Sequence, residues 1–244
     1  MKLREARELG DRMASLVAAG NLRQASSLLA PILAERTPFA ALSVIREAVG
    51  KGPLDVVNSF LDQIAASQAE GGWVVIGAAL GSQLDRDLSG AFARARSFIM
   101  SADIWYAPDI LGERVPGPAL LTHFEAARAR LSPWLEAANR WVRRTVGVAV
   151  HFWAKRTRGD PERSGEAGAL LTLLEPAFSE RNMDALKGIG WGIKTLGRHY
   201  PDLVADWLCL QLGRSGRAHR ALMLRKGVTY LPEEYRARVL SAKT

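Results

Sequence analysis

The sequence predicts an all-α protein in which short helices stack as antiparallel pairs into a solenoid with a concave basic face. Three observations carry this expectation. Apolar residues recur at spacings of three and four along nearly the whole chain, and no period-two, β-branched stretch flanked by hairpin turns occurs. Glycine and proline fall at intervals between these segments rather than in low-complexity runs, so they punctuate short helices. The net charge of +8 is also placed unevenly: residues 1–122 hold 12 Lys/Arg against 13 Asp/Glu, whereas residues 123–244 hold 21 against 12. A basic second half points to an acidic partner, with nucleic acid first in line, and a generally basic solvated surface is the plain alternative.

Taken in order, Glu5 to Ala19 is amphipathic and stops at Gly20. Asn21 is placed to cap a second helix running through Glu35. Thr37-Pro38 opens a third, with proline at the first helical position, ending at Val49-Gly50. Pro53 opens a fourth through Gln68. Gly71-Gly72 reads as a break, followed by a more apolar helix to Leu84. Asp85 to Ser89 reads as a turn and Gly90 to Ser101 as helix. Further helices are expected at Pro118 to Ala129, Asn139 to Trp153, Gly165 to Phe178, Asn182 to Tyr200, Pro201 to Leu212, Ser215 to Thr229 and Pro232 to Ser241. The polar, glycine-bearing stretch Lys155 to Gly168 reads as a surface loop. About a dozen short helices joined by short turns match the size of HEAT-like pairs, in which each pair buries a face against its neighbours. No linker interrupts the series, so one repeat domain over residues 1–244 is expected.

Composition bounds the rest. A chain of 244 residues that is 48% apolar buries a sizeable core and is not disordered. The longest uncharged stretch near the middle, Gly71 to Leu84, is too short to span a bilayer, and MKLREARELGDR at the start mixes charges and lacks an apolar signal core. A soluble, cytoplasmic protein with no membrane partner is expected. The lone Cys209, between Leu208 and Leu210, suits a reducing compartment and reads as a buried small apolar residue. His123, His151, His199 and His219 lack metal-ligand spacing and read as surface or capping residues, and no metal site is expected. Glycine-rich phosphate loops are absent.

Three constellations stand out. In Ile104 to Leu111, Trp105 and Asp109 share a helix face at i, i+4, while Pro108 marks a first turn starting near Ala107. Asp109 there either complements the helix dipole or does chemistry. In NRWVRRTVGVAVHFW, Asn139 is an N-cap. Trp141, Thr145, Val148 and Phe152 form an apolar stripe, and Arg140, Arg143 and Arg144 project from another side. Like charges at this spacing cost roughly 0.2 to 0.5 kcal/mol per pair in an isolated helix. Either acids such as Glu136 offset that cost, or the guanidinium forks meet phosphate. In Asn182 to Tyr200, Lys187, Trp191, Lys194 and Arg198 form one stripe, opposite an apolar set of Leu186, Ile189, Ile193, Leu196 and Tyr200. Trp191 among bases either packs on a sugar or base while the cations meet phosphates, or lodges between helix pairs.

The WYAPD, NRWVRR and DALKGIGWGIKTLGRHYPDLV segments resemble the signature segments of the AlkD-type DNA alkylation repair enzymes, HEAT-like-repeat glycosylases that remove N3- and N7-alkylated purines. The family's essential aspartate, four residues after a tryptophan, falls on Asp109 after Trp105. Its active-site arginine, in a W-x-x-R pattern, falls on Arg144 after Trp141. Its second active-site tryptophan, in a K-x-x-G-W pattern, falls on Trp191 after Lys187 and Gly190. The resemblance covers roughly Ile99 to Leu240, and residues 1–72 contain no Trp or Tyr. It implies a monofunctional, cofactor- and metal-independent hydrolase acting as a monomer in base excision repair on duplex DNA containing alkylated purines. Asp109 and Arg144 would be catalytic. Trp105, Trp191, Arg140, Arg143, Lys187, Lys194 and Arg198 would hold the DNA. The competing expectation is a non-catalytic HEAT-like module that binds DNA or another protein and does not depend on Asp109.

Overall fold

The computed structural model describes residues 3–35, 37–213 and 220–242, and every regular element in them is helical. The chain divides into two compact units, Met1–Val115 and Pro116–Thr244. No helix among the described residues is long and apolar enough to cross a membrane.

The first unit holds α1 (Leu3–Ala18), α2 (Leu22–Ala34), α3 (Phe39–Val49), α4 (Leu54–Ala66), α5 (Glu70–Gly81), α6 (Leu88–Ala102) and α7 (Tyr106–Arg114). Helices α1, α3, α5 and α7 pack successively on one another, and α2 and α4 pack together beside them. This is a helical repeat, in which alternate helices form separate layers and each pair covers its neighbour's apolar face. The burial of Ala6, Met13 and Val17 follows the helical period of α1. Asn21 precedes α2 but makes no side-chain cap bond, contrary to the expectation.

The break expected at Gly71-Gly72 lies instead at Ser67 to Ala69, where Gln68 takes φ of +54°. Both glycines belong to α5, which is buried continuously from Gly72 to Leu80. A Cβ on Gly71 would sit 3.1 Å from Leu42 Cδ1, and one on Gly72 would sit 3.0 Å from Ile64 Cγ2. These glycines permit close packing of a central helix rather than a turn.

The second unit holds α8 (Pro116–Thr122), α9 (Phe124–Leu131), α10 (Arg140–Thr157), α11 (Ser164–Leu174), α12 (Met183–His199), α13 (Pro201–Leu212), α14 (Arg220–Gly227) and α15 (Glu233–Ser241). One layer runs α8, α10, α12, α14 and the other α9, α11, α13, α15. The helix expected over Pro118 to Ala129 is two helices, because His123 leaves helical geometry at φ −134°, ψ 49°. That turn puts the Phe124 ring 6.2 Å from the Trp153 ring. The loop expected at Lys155 to Gly168 is mostly helical. α10 continues to Thr157 and stops at Arg158 and Gly159, which take φ of +53° and +82°. A 3₁₀ turn at Pro161–Arg163 then leads into α11. The helix expected at Ser215 to Thr229 begins at Arg220 among the described residues, and its earlier part lies outside them with His219.

α10 and α12 carry both basic segments, and three glycines decide how closely they approach. A Cβ on Gly147 would lie 2.2 Å from the Gly188 carbonyl oxygen, and one on Gly192 would lie 2.7 Å from the Gly147 oxygen. A Cβ on Gly188 would meet Arg144 Cγ and the Arg144 oxygen at 2.6 Å. The two backbones therefore touch at a crossing where no larger residue fits. Arg144 and His151 lie about one turn to either side of Gly147 on α10. Gly188 and Thr195 bracket Trp191 and Gly192 on α12.

Candidate functional site

In the first unit, α7 begins immediately after Asp103 ends α6 in a left-handed conformation, with φ of +43°. Trp105 occupies the N-cap position with helical dihedrals, so it and Asp109 share a helix face, one turn apart. Pro108 falls in the first turn, where its missing N–H removes no intrahelical bond, and its ring is buried. Asp109 is half-buried near the positive end of the helix dipole. Trp105 is 59% exposed, held edge-on to Tyr106 at 5.7 Å. An indole this exposed, one turn ahead of a carboxylate, leaves a large apolar face for a ligand.

In the second unit, Asn139 caps α10 by accepting hydrogen bonds from the Trp141 and Val142 amides. The three arginines that follow have different surroundings. Arg143 donates from Nε to Glu180 Oε2 at 2.6 Å and from Nη2 to Oε1 at 3.3 Å. Its Nη1 reaches the Ala137 and Ala138 carbonyls at 2.6 and 2.9 Å. With its fork engaged this way, Arg143 ties the start of α10 to the segment before α12. Its partner is Glu180, not Glu136. The Glu180 side chain is 9% exposed. Burial alone would raise its pKa, but the hydrogen bonds from Arg143 and from the Asn182 and Arg181 amides outweigh it and hold the carboxyl below the usual value.

Arg144 does not project from a solvated face. It is 9% exposed, lies against Gly188, and donates from Nη1 to the Asp184 carbonyl at 2.9 Å. Arg140 stacks over the Trp141 ring at 4.6 Å, and its Nε stands 3.6 Å from Asp184 Oδ2. Lys187 Nζ lies 3.9 Å from Asp184 Oδ1. Asp184, in the first turn of α12, thus gathers Arg140, Arg144 and Lys187 at one end of the helix pair. α12 itself is capped by Asn182, whose side chain accepts from the Asp184 and Ala185 amides.

Along α12, Leu186, Ile189, Ile193, Leu196 and Tyr200 are buried, as the period requires. On the other stripe, Lys187 and Arg198 are exposed, and Trp191 and Lys194 are half-buried. Lys194 and Arg198 both lie over the Tyr230 ring, at 4.7 and 3.9 Å, in cation–π contact. Lys226 of α14 lays its stem across Gly190, where a Cβ would come within 2.3 Å of its Cδ. Burial lowers the Lys226 pKa first, and then Lys194, Arg225, Lys187 and Arg144 lower it further. That many cations held together is a field which an anion relieves.

Trp191 is not wedged between helix pairs in isolation. Its ring stacks on His151 of α10 at 3.9 Å and 23°. His151 is 7% exposed, which corrects its expected place at the surface or in a cap. Cys209 is half-buried rather than fully buried.

Sequence reasoning missed Asp184, His151, Lys226 and Tyr230. His151 had a signal: it lies seven residues after Arg144, on the same face of α10. Lys226 and Tyr230 had none, because their neighbours lie on a helix about thirty residues earlier.

A comparison with protein families matches residues 53–231 to the DNA alkylation repair enzyme family. Comparisons with curated proteins and with solved structures give no match. The matched stretch takes in α7, α10 and α12 with all the candidate residues described above. The chain belongs to the DNA alkylation repair enzyme family.

Proposed function

We propose that this protein is a monofunctional DNA glycosylase that hydrolyses the N-glycosidic bond of N3- and N7-alkylated purines in duplex DNA. Family membership supports repair of alkylated DNA. The observation that carries the finer reading is the exposed Trp105 with Asp109 one turn behind it.

One carboxylate suffices for this chemistry. Ordinary glycoside hydrolysis needs an acid to protonate the leaving group and a second carboxylate opposite. Alkylation at N3 or N7 already makes the purine cationic, so it departs with the bonding electrons as a neutral base. What remains is positive charge on the deoxyribose and the attack of water at C1′. Asp109 stabilises that charge and accepts the proton of the attacking water. Trp105 offers an indole face to the sugar and excludes solvent, and Trp191 offers another to the DNA. Arg144, oriented by its bond to Asp184, holds a backbone phosphate, and Lys187, Lys194, Arg198 and Lys226 extend the grip along the strand. Arg140 contributes charge beside them, while Arg143 has a structural role and is left out of this set.

The test is release of 7-methylguanine or 3-methyladenine from methylated duplex DNA. Release by the wild-type protein without added metal or cofactor is the expected result. Salt-dependent DNA binding with no base released would leave a helical DNA-binding module instead, and weak binding with little salt slope would leave a protein scaffold.

A further inference from the structure

The least expected polar group in the second unit is His151. It is buried against the Trp191 ring, and its Nδ1 lies 2.8 Å from Thr195 Oγ1. The Thr195 hydroxyl donates its single hydrogen to the Trp191 carbonyl at 2.9 Å. It must therefore accept at the 2.8 Å contact, which places the imidazole proton on Nδ1. The result is a closed chain: the imidazole covers one face of the indole, donates to Thr195, and Thr195 returns to the backbone of the same tryptophan. The glycine crossing of α10 and α12 makes this possible by bringing the two helices into backbone contact.

We infer that His151 is a positioning residue for the reaction: its stack and its bond to Thr195 fix the plane of Trp191, and an uncharged imidazole on the inner face leaves the indole's electrons available to a cationic sugar or base on the other. This rests on the glycosylase reading, in which Trp191 offers an indole face to the DNA. A charged imidazole would compete for the same ring through its own cation–π attraction.

The surroundings keep the imidazole neutral. Burial is the largest cause of its lowered pKa, followed by Lys155 on its own helix and Lys194 on α12, which bring it to about 4. Of the other helices packed on α10, α8 carries no titratable side chain and α11 carries Glu166, which accepts hydrogen bonds from Trp153 and Arg163, while α14 adds Lys226 and Arg225 to the basic cluster on α12.

The test uses the full chain and its His151→Phe, His151→Ala and Trp191→Phe variants, with far-UV circular dichroism confirming that each is folded. A protonated imidazole in contact with an indole quenches its emission. The emission of wild type minus that of Trp191→Phe should fall on acidification with a midpoint of about pH 4, and His151→Phe should lack that transition. In single-turnover base release from methylated duplex, His151→Ala should lose about ten- to a hundredfold in rate, with DNA affinity within about twofold of wild type. His151→Phe keeps a neutral ring in the stack and should restore most of the rate. Wild-type rate in His151→Ala, loss of binding in step with rate, failure of phenylalanine to rescue, or absence of the emission transition would each overturn the inference. If the wild-type protein itself binds duplex but releases no base, the glycosylase reading is what fails, and the positioning role falls with it.

Discussion

Gly147→Ala tests whether the α10–α12 crossing is as close as it looks. The added Cβ would lie 2.2, 2.3 and 2.4 Å from the Gly188 oxygen, the Gly188 carbonyl carbon and the Ile189 nitrogen. All three are backbone atoms, so no side-chain rotation relieves the clash. Restoring ordinary contact requires the helices to separate by about 1 Å, and a gap of that size forfeits a quarter to a half of each contact along the seam. It would also stretch the Arg144 to Asp184 hydrogen bond, now 2.9 Å, and open the His151–Trp191 stack, now 3.9 Å. Overpacking of this kind costs about 1 to 3 kcal/mol or more, and the upper end applies where only backbone can yield. At roughly 2 to 4 °C per kcal/mol for a chain of this size, the melting temperature should drop by about 6 to 12 °C. The internal control is Gly168→Ala in α11, where nothing lies within 4 Å of the new Cβ. That change should be neutral or stabilise by up to about 1 kcal/mol through helix propensity. Calorimetry or urea unfolding of the two variants side by side is the assay. A Gly147→Ala protein as stable as Gly168→Ala would refute the crossing and the site geometry built on it.

Other predictions follow from single contacts. Arg143→Met should destabilise by about 1 to 3 kcal/mol through loss of its charged hydrogen bonds to Glu180, with DNA affinity nearly unchanged, as measured by urea unfolding and a binding titration. The Glu180 carboxyl is held below its ordinary value, so its contribution is present above the unfolded pKa and lost as pH falls through the lower folded value; stability should decline on acidification below the ordinary glutamate range, and less so in Glu180→Gln. His151 acts with the same proton balance, over a higher window. Between pH 6.5 and about 4 the unfolded chain binds a proton that the native imidazole refuses, so stability falls on acidification across that window, and His151→Phe should remove this component. Replacing Lys194 or Lys226 with Met should reduce the slope of log K against log salt for duplex binding by about 0.9 each, whereas equal slopes would place those cations off the DNA.

The structure also shows which parts of the chain the sequence makes legible. The cap at Asn139 was readable because an N-cap acts within three residues of itself, although the same rule misplaced a cap bond at Asn21. The apolar stripe of α12 was readable because one full face is buried. The arginine cluster was readable as a spacing but not as a set of roles. Whether Arg143 or Arg144 meets solvent depends on Glu180, Asp184 and Gly188, all about forty residues away. Glycine was the most misleading residue. At Gly71-Gly72 the breaker rule pointed to a turn, yet both positions admit a neighbouring helix, and the same is true of Gly147, Gly188 and Gly192. The Cβ-free surface that weakens a helix alone is what lets two helices meet, and only the tertiary partner reveals which effect prevails.

The most direct measurement of the central claim is base release by Asp109→Asn beside the wild-type protein, on one methylated duplex at one salt concentration. Asparagine keeps the size of the side chain but carries no charge to stabilise the sugar cation or take a proton from water. Wild type should release alkylated purine, Asp109→Asn should lose at least about a hundredfold in single-turnover rate, and both proteins should bind the duplex alike. Equal release by the two proteins would contradict that claim, because the lone carboxylate would then play no part in cutting the bond.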